Sequence, residues 1–575
     1  MRSMARVEGV GFYRCRQAWC AGLVRLLAGV TMCVLLGSAG AAAEVTVLTA
    51  TEYGLQADGV HDDGPAIRRL LAAVAAAAGP VRAVFPAGRT IRVATGTERY
   101  VFALDRASRL TLDGGGSTFL LTPDLRFLRL THSEQITLCL LNIDVAPLPF
   151  VDGTVVAVAA AQRTLDVQTS PGEALRALGG PTHADGEQAF FGMLWQEGAY
   201  GLLGRHYWIE RMEAGSGPGR VRVTATSAFS EFADIVPGAW RISLPVPGNA
   251  HRYGPGACLD ISDNDTVTLE DVEVWSAPWF GVEVIRNRGH VTFRRVHIRP
   301  PPGSGRLTST WRDGFHVKGN SATLLWEDCI LAGMNDDAFN ISTHCSSVQE
   351  RVTPTRLVVL QTFPLGPMPW HEGNTLAAAD FASRTRLGSA RIVGVSGWTT
   401  ERRLDGKPAV SAVTLDLDRP IAGLEVGAMV WEPETTNPDT TLRRCTILNS
   451  CRLQSSVTLE ACRVTALLWF YGERVEGPFP SRVVVRDSEL RRGRGNPRLA
   501  ISVAGREEGA TRPSAIEEVV FERNQIWGDV AITGVDRVRL LDNQFREVGA
   551  DLRLENCPDL QTSGPPLPPP PGPRR

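Results

Sequence analysis

The chain has 575 residues, of which 43% are hydrophobic and 21% are charged, and its formal net charge at pH 7 is -2. This composition is typical of a globular protein with enough apolar material for a long core. The nearly balanced charge gives the protein no strongly positive surface, so we do not expect it to bind nucleic acid.

Residues 1–43 have the pattern of a cleavable signal peptide. Five arginines precede an apolar run, Leu26–Leu36, and small residues follow as far as Ala41–Ala43. The apolar run is too short to span a bilayer, and no later segment of the chain predicts a membrane span. We therefore expect cleavage near Ala43 and a secreted or periplasmic protein.

The start of the mature chain, within residues 44–150, predicts a cap followed by the first coils of a solenoid. The turn-forming segment Asp58–Ile67 leads into an alanine- and leucine-rich helix. Its carboxylates Asp58, Asp62 and Asp63 are expected to form turns and to cap this helix. The segment resembles the opening of pectate-lyase-like β-helix proteins, in which such a helix covers the open end of the coil.

One octapeptide pattern, with apolar residues at its first, third and eighth positions, recurs along the chain. Its copies begin at Leu110, Ile136, Val267, Val291, Leu324, Thr440, Val457, Val483, Val519 and Val538. Alternation of period two predicts strands, and the regular spacing predicts one solenoid turn per copy. The predicted fold class is all-β: a right-handed parallel β-helix with an N-terminal capping helix. Asn524 and Asn543 share the sixth position, which predicts an internal asparagine stack.

Two long segments, 151–255 and 351–435, interrupt the repeat. Both are rich in strand-forming residues, punctuated by glycine and off the solenoid period, so each predicts a small inserted β-domain. The β-helix then occupies 256–350, where we expect the active site, and 436–562. A proline-rich tail, 563–575, has no core to join. The cysteines form no CxxC pair, so neither a zinc site nor another metal or cofactor is predicted.

The candidate site is a pattern repeated on neighbouring coils. Asp313–Val317 and Asp337–Ile341 begin twenty-four positions apart, so one coil stacks the second aspartate on the first, roughly 4.8 Å away. Asp336 adds a third carboxylate. Aligning Phe280–Val284 as the coil below places three further polar residues in one outward column: Glu283, His316 and Asn340.

Stacked carboxylates raise one another's pKa, so such a set can hold a proton and a charge together near neutral pH. Hydrolysis of a glycosidic bond needs one carboxylic acid for the departing oxygen and one carboxylate to activate water or attack the sugar. The alternative is that these aspartates only form turns between strands.

The site and its surroundings resemble glycoside hydrolase family 110. The matching motifs are Ile143–Asp144, Pro147–Phe150, Ser276–Pro278, Thr310, Asp313, His316, Met334–Ala338 and Asn340. Members of this family are exo-acting α-galactosidases with a parallel β-helix and two inserted β-barrel domains. The resemblance therefore implies a glycan substrate with terminal α-linked galactose, α-1,3 favoured.

The resemblance also implies roles for individual residues. Asp313, Asp336 and Asp337 would be the catalytic residues of an inverting reaction, with Asp313 as acid and Asp336 or Asp337 as base. The residues expected to bind the substrate are His316, Asn340, Glu283, Lys318, Trp469 and Glu476. Trp469 and Tyr471 are each open to a second interpretation, as packing inside the core.

The sequence departs from the family pattern at Ala146, where a second acid is usual, and in the short coil from Thr440 to Val457. Two other functions therefore stay open. One is a polysaccharide lyase or epimerase on the same fold, with Lys318 as a candidate base. The other is a non-catalytic glycan-binding β-helix.

Overall fold

The computed structural model describes residues 44–178, 191–198, 201–227, 229–246, 256–343, 345–362, 370–401, 410–474, 476–493 and 499–568. The expected signal peptide and the end of the proline-rich tail lie outside these residues. In the parts of the chain described, no helix is long and apolar enough to cross a membrane.

The main body is a parallel β-helix, which confirms the predicted fold class. In each coil a strand of an 11-stranded sheet is followed by strands of a 20-stranded sheet, and the paired strands of both sheets run parallel. The 11-stranded sheet, called the site sheet below, contains Tyr100–Asp105, Arg126–Thr131, Leu259–Ser262, Val282–Ile285, Phe315–Lys318, Phe339–Ser342, Cys451–Leu453, Leu468–Phe470, Leu499–Ala504, Asp529–Thr533 and Leu552–Glu555.

The 20-stranded sheet, called the long sheet, carries the octapeptides. Its strands are Thr46–Thr49, Val81–Val84, Thr90–Val93, Ser108–Leu121, Glu134–Val145, Asp265–Val274, Arg288–Ile298, Thr323–Glu327, Ile330–Leu331, Asp439–Arg443, Thr446–Ile447, Val457–Glu460, Arg463–Thr465, Arg482–Arg486, Glu489–Arg491, Glu518–Glu522, Gln525–Trp527, Arg537–Leu541, Gln544–Phe545 and Asp559–Ser563. The first residue of one octapeptide pairs with the first residue of the next, as Val267 does with Val291 and Val291 with Leu324. The apolar positions therefore stack into continuous rows inside the coil.

The part of the β-helix core that lies beneath the site is a stack of aromatic rings. The rings of Phe315 and Phe339 lie parallel on adjacent coils, with centroids 5.3 Å apart, and Trp326 and Phe293 close the stack from the long sheet. All four side chains are fully buried. These large apolar side chains set the spacing between the coils. They thereby position His316 and Asn340, the polar residues that follow Phe315 and Phe339 in the site sheet.

Buried asparagines form a ladder at a corner of the coil. The backbone N–H groups of Asn264, Asn287 and Asn320 each donate to the amide oxygen of the next asparagine, ending at Asn437. The predicted pair at the C-terminal end behaves in the same way, since the backbone N–H of Asn524 donates to Asn543 Oδ1 at 3.1 Å. Each amide thereby satisfies backbone groups that the turn leaves unpaired.

The cap helix spans Gly64–Ala76 and buries Ile67 and Leu70 against the first coils. Asp63 precedes the helix, but its carboxylate accepts the backbone N–H groups of Gln56 and Ala57 instead of capping it. The expectation of a capping role for Asp63 is therefore wrong, because the preceding loop already presents two donors to this buried carboxylate.

Two closed six-stranded barrels interrupt the β-helix. The first contains Phe150–Ala159, Thr164–Gln168, Phe191–Glu197, Leu202–Ala214, Arg220–Ala225 and Arg241–Pro245, with the helix Pro171–Leu178 packed on it. The second contains Ser346–Thr353, Arg356–Thr362, Thr375–Asp380, Thr385–Glu401, Val410–Leu417 and Met429–Trp431. Each barrel has its own apolar core. Both leave the coil next to the strands that carry the candidate site.

Candidate active site

Three coils of the site sheet place the predicted residues in register. Glu283 pairs with His316, and His316 pairs with Asn340, so the outward column predicted from the alignment is present. The column continues upward through Arg452 and Trp469 on the next two coils. The sequence analysis assigned no role to Arg452.

The three aspartates lie on the turns that enter these strands. One oxygen from each of Asp313, Asp336 and Asp337 lies within 4.8 Å of the others. The coils can approach so closely because Gly314 follows Asp313: a Cβ atom at this position would lie 2.8 Å from the carbonyl oxygen of Ala338. The Gly314 N–H donates to the Asp337 carbonyl at 2.8 Å, which joins the two turns directly.

Each aspartate has a different partner. Asp313 Oδ2 lies 2.7 Å from Nδ1 of His316, and both side chains are buried. Asp336 is half-buried, and its Oδ2 accepts a hydrogen bond from the Arg312 guanidinium at 3.2 Å. Asp313 is thus the carboxyl group whose closest side-chain partner is an imidazole, whereas Asp336 has a permanent cation beside it.

Asp337 has one hydrogen-bond donor and one cation beside it from the coil above. The Ser450 hydroxyl donates to its Oδ1 at 2.6 Å, and Arg452 Nε lies 3.3 Å from its Oδ2. This coil follows the second barrel along the chain. Donors that bind an ionised carboxylate stabilise its charged form.

Burial is the largest influence on the pKa values of Asp313 and Asp337. Burial, and then the charge of Asp336, raise the pKa of Asp313 well above its usual range. The same two causes raise the pKa of Asp337, whereas Arg452 lowers it. Burial, and then Lys318, lower the pKa of His316 well below its usual range, so its imidazole is neutral near pH 7. These directions favour a protonated Asp313 beside a neutral ring.

A buried ion network supports the column from one side. Lys318 is fully buried; its ammonium donates to Asn340 Oδ1 at 2.9 Å and to the Ser342 hydroxyl, and lies 3.7 Å from Glu476. Glu476 also accepts from Arg452. Burial would raise the pKa of Glu476, but Lys318 and Arg452 outweigh it and lower that pKa to about 2.

A second acidic pair extends the column downward from His316. Glu283 pairs in register with Asp260 and is almost fully buried, and its Oε2 accepts the Ala257 N–H at 3.3 Å. Burial, and then the charge of Asp260, raise the pKa of Glu283 to about 8. Glu283 is therefore a neutral carboxylic acid at pH 7 and can donate a hydrogen bond.

The first barrel forms a wall of the site. His206 Nε2 lies 2.7 Å from the carbonyl oxygen of Asn335, the residue before Asp336. The Arg312 guanidinium lies between the rings of Phe191 and Trp279, 5.0 and 4.9 Å from their centroids. The barrel thereby fixes both the turn that carries Asp336 and the cation that pairs with it.

A cavity of about 260 Å³ opens beside Asp337 between this barrel and the coils, and Arg452, Ser450, His206 and Trp469 help to line it. Trp469 is 39% exposed. Its ring stacks on Tyr471, with centroids 4.0 Å apart. Trp469 therefore lies on the outer surface beside the site, and the alternative of core packing is wrong for this residue.

A cluster of three carboxylates is also a donor set that hard cations prefer. In this site Asp336 and Asp337 already have guanidinium partners, Arg312 and Arg452. An ion bound between them would have to face or displace those positive charges. The arrangement fits proton transfer better than metal binding.

The structure brings the nine predicted site residues to one face of the site sheet and its turns. Sequence reasoning missed four contributors to this face: Arg312, His206, Ser450 and Arg452. Arg452 could have been found by extending the column one coil upward from Asn340. The seventeen-residue spacing from Thr440 to Val457, directly after the second insertion, obscured that alignment.

No protein-family model matches the chain. An α-1,3-galactosidase B of Bacteroides thetaiotaomicron is 24% identical over 462 residues, which cover 74% of this chain and 69% of that protein. An α-1,3-galactosidase A of Bacteroides fragilis is 25% identical over 231 residues, covering 38% of this chain and 36% of that protein. The chain is therefore similar to these α-1,3-galactosidases over most of its length. The resemblance expected from its motifs is thereby confirmed.

Solved structures align along most of the chain but with low scores. The A-module of the mannuronan C-5 epimerase AlgE6 of Azotobacter vinelandii has a TM-score of 0.36 at 11% identity and covers 90% of this chain and 100% of that one. The surface adhesin PfbA of Streptococcus pneumoniae has a TM-score of 0.30 at 10% identity and covers 90% of this chain and 93% of that one. Neither alignment carries an argument about function.

Proposed function

We propose that the protein is a glycoside hydrolase that removes a terminal α-linked galactose, α-1,3 favoured, from a glycan. The observation that carries this proposal is the unequal setting of the clustered carboxyl groups. Asp313 is buried beside an imidazole, and Asp336 lies beside a guanidinium. Neighbouring carboxyl groups held in unlike surroundings can supply the acid and the base of glycoside hydrolysis. The related α-1,3-galactosidases support galactose as the sugar.

The roles follow from the partners of each group. Asp313 is the general acid, because its buried carboxyl holds a proton that it can give to the departing glycosidic oxygen. The carboxylate that activates water is Asp336 or Asp337; Arg312 donates a hydrogen bond to Asp336, and Arg452 lies 3.3 Å from Asp337. His316 Nε2 is buried and has no hydrogen-bond partner among the described residues, so it can bind a sugar hydroxyl.

Exo action fits the wall that the first barrel places beside the turn of Asp336, because such a wall hinders a glycan from extending past the site on that side.

The family resemblance supports inversion, in which water attacks directly. Inverting enzymes usually hold their carboxyls roughly 6.5 to 9.5 Å apart, whereas the nearest oxygens here lie within 4.8 Å. Proton NMR of the first-formed product tests inversion separately from hydrolysis: β-galactose supports it, and α-galactose overturns it while leaving the hydrolase proposal intact.

The central experiment measures galactose release from α-1,3-galactobiose by the wild-type protein, Asp313→Asn and Asp336→Asn. Removing the general acid or the base should lower kcat by about 10² to 10⁴. Asp328→Asn is a matched control, because Asp328 lies on the same solenoid but is 38% exposed and paired with Arg444. Wild-type protein that releases no galactose from a broad panel of α-galactosides would refute the proposal.

The same assay decides between hydrolysis and the alternatives. A lyase would form an unsaturated sugar with ultraviolet absorbance and no free galactose. Lys318, its candidate base, is fully buried, and its ammonium is held by Asn340 and Ser342. A non-catalytic glycan-binding protein would show no activity in the wild type and therefore no effect of Asp313→Asn.

A further inference from the structure

A second cavity lies on another part of the molecule, between the second barrel and the C-terminal coils. Its volume is about 420 Å³, within the range of small-ligand sites. It contains none of the catalytic aspartates. The lining residues from the barrel and the segment that leaves it are Thr375, Ala377, Ala378, Arg386, Gly388, Ser389, Trp431, Pro433, Thr436 and Pro438, and those from the coils are Ser455, Ser456, Phe479, Ser481, Ala515 and Glu517.

The lining combines one half-buried indole with many hydroxyl groups. Trp431 packs partly on the β-helix core and contributes to the cavity wall. Across from the barrel, the hydroxyls of Ser456 and Ser481 lie 2.9 Å apart on adjacent coils. An aromatic ring offers a surface for the apolar face of a sugar, and paired hydroxyls can donate to and accept from its hydroxyl groups.

The charges at the cavity favour a neutral ligand. Arg386 is the lining cation, and its guanidinium contacts two carboxylates, Glu517 at 2.6 Å and Asp536 at 2.8 Å. Asp536 also pairs with Arg506 at 3.3 Å, so two carboxylates and two guanidiniums neutralise one another and leave no free cation to attract an anion.

We propose that this cavity is a second carbohydrate site, which binds one or two neutral hexose units without cleaving them. The indole, the serine hydroxyls and the neutralised arginine together match a neutral polyol and do not match a phosphate or a carboxylated sugar. The site would hold part of a large glycan while its terminal residue is processed elsewhere on the protein. Binding here does not depend on the catalytic role of Asp313.

The test uses the full-length protein with Asp313→Asn, which removes turnover, and titrates it calorimetrically with α-1,3-galactobiose. We expect two binding events. Adding Trp431→Ala should weaken one event at least tenfold, and adding Trp469→Ala should weaken the other. In the otherwise wild-type protein, Trp431→Ala should leave kcat on α-1,3-galactobiose unchanged.

A second variant protects the test against misfolding, because Trp431 also packs on the core. Ser481→Ala removes an exposed hydroxyl and should weaken the same event as Trp431→Ala, with an unchanged thermal midpoint; Ser456 is kept because its hydroxyl accepts the Arg482 N–H at 3.2 Å. A single binding event that neither the Trp431 nor the serine variant alters would overturn the second site. That result would leave the proposed hydrolase activity standing, because galactose release is measured separately.

Discussion

Arg452 is the cation shared between Asp337 and Glu476, and Arg452→Gln tests whether it holds the Asp336/Asp337 pair in the charged form. Arg452 Nε lies 3.3 Å from Asp337 Oδ2. Burial and Asp336 raise the pKa of Asp337, and Arg452 opposes both. Without the guanidinium, the aspartate pair should take up a proton at higher pH than in the wild type.

The size of the shift follows from the distance and the exposure. Two unit charges about 4 Å apart interact by roughly 4 kcal/mol at an effective dielectric constant near 20, and one pKa unit corresponds to about 1.4 kcal/mol. The Arg452 side chain is 29% exposed and also serves Glu476, so solvent and the second carboxylate reduce its effect on Asp337. We therefore expect a shift of about one to two pKa units, in the lower part of the range for a carboxylate beside a cation.

The assay is the pH dependence of kcat/KM for galactose release. Because the base must be ionised, activity is lost as the pH falls through its pKa, and Arg452→Gln should move this acidic limb upward by about one to two pH units. Arg444→Gln is the matched control, since Arg444 pairs with Glu327 and Asp328 on the long sheet. An acidic limb that stays in place in Arg452→Gln would refute the role of Arg452. Because Arg452 is the smallest of the causes that act on the pKa of Asp313, a basic limb that moves further than the acidic limb would make Asp337 the acid.

Three further variants test separate parts of the site and its support. Burial raises the pKa of Glu283 from 4.5 to about 8, so between these pH values the folded protein keeps a proton that the unfolded chain has lost. The free energy of unfolding of the wild type in urea should therefore decrease from pH 5 to pH 8. The decrease should be about 3 kcal/mol larger than in Glu283→Gln, which has no proton to lose at this position. Trp469→Ala should raise KM about tenfold and change kcat little, because this exposed ring lines the cavity beside Asp337; an unchanged KM would exclude it from substrate binding. Asn437→Ala removes the acceptor of the Asn320 N–H and should cost about 2 to 4 kcal/mol in urea unfolding, whereas a loss below 0.5 kcal/mol would contradict the ladder's role.

The β-helix was predictable because its signal is local and repeated. In each octapeptide, alternating apolar residues mark the side chains that point into the coil, and the same pattern recurs in every further coil. The register of Phe315 over Phe339 follows from that repeat alone, and so does the pairing of His316 with Asn340. Errors of one residue would have placed buried side chains on the solvent side, so the pattern fixes the register strongly.

The partners of the aspartates were less predictable because they arise from different parts of the chain. Ser450 and Arg452 follow the second barrel and lie more than a hundred residues after Asp337. His206 reaches the site only because the first barrel packs against the turn of Asn335. No periodicity links His206 to the aspartates, and only the packing of the inserted barrel brings it to them. Ser450 and Arg452 do lie in the register of the site sheet, but the second insertion and the short coil that follows it obscure that register.

The balance of charges around the three aspartates supports the proposed role of Asp313 as the general acid. The carboxyl groups around these cations are Asp313, Asp336, Asp337, Glu473 and Glu476, and the cations are Arg312, Arg452 and Lys318. Five acids therefore face three cations. Asp313 is the member whose hydrogen-bonded side-chain partner is a neutral imidazole, and burial makes an unpaired negative charge at this position costly. This setting supports the proposal that Asp313 holds a proton and delivers it as the general acid.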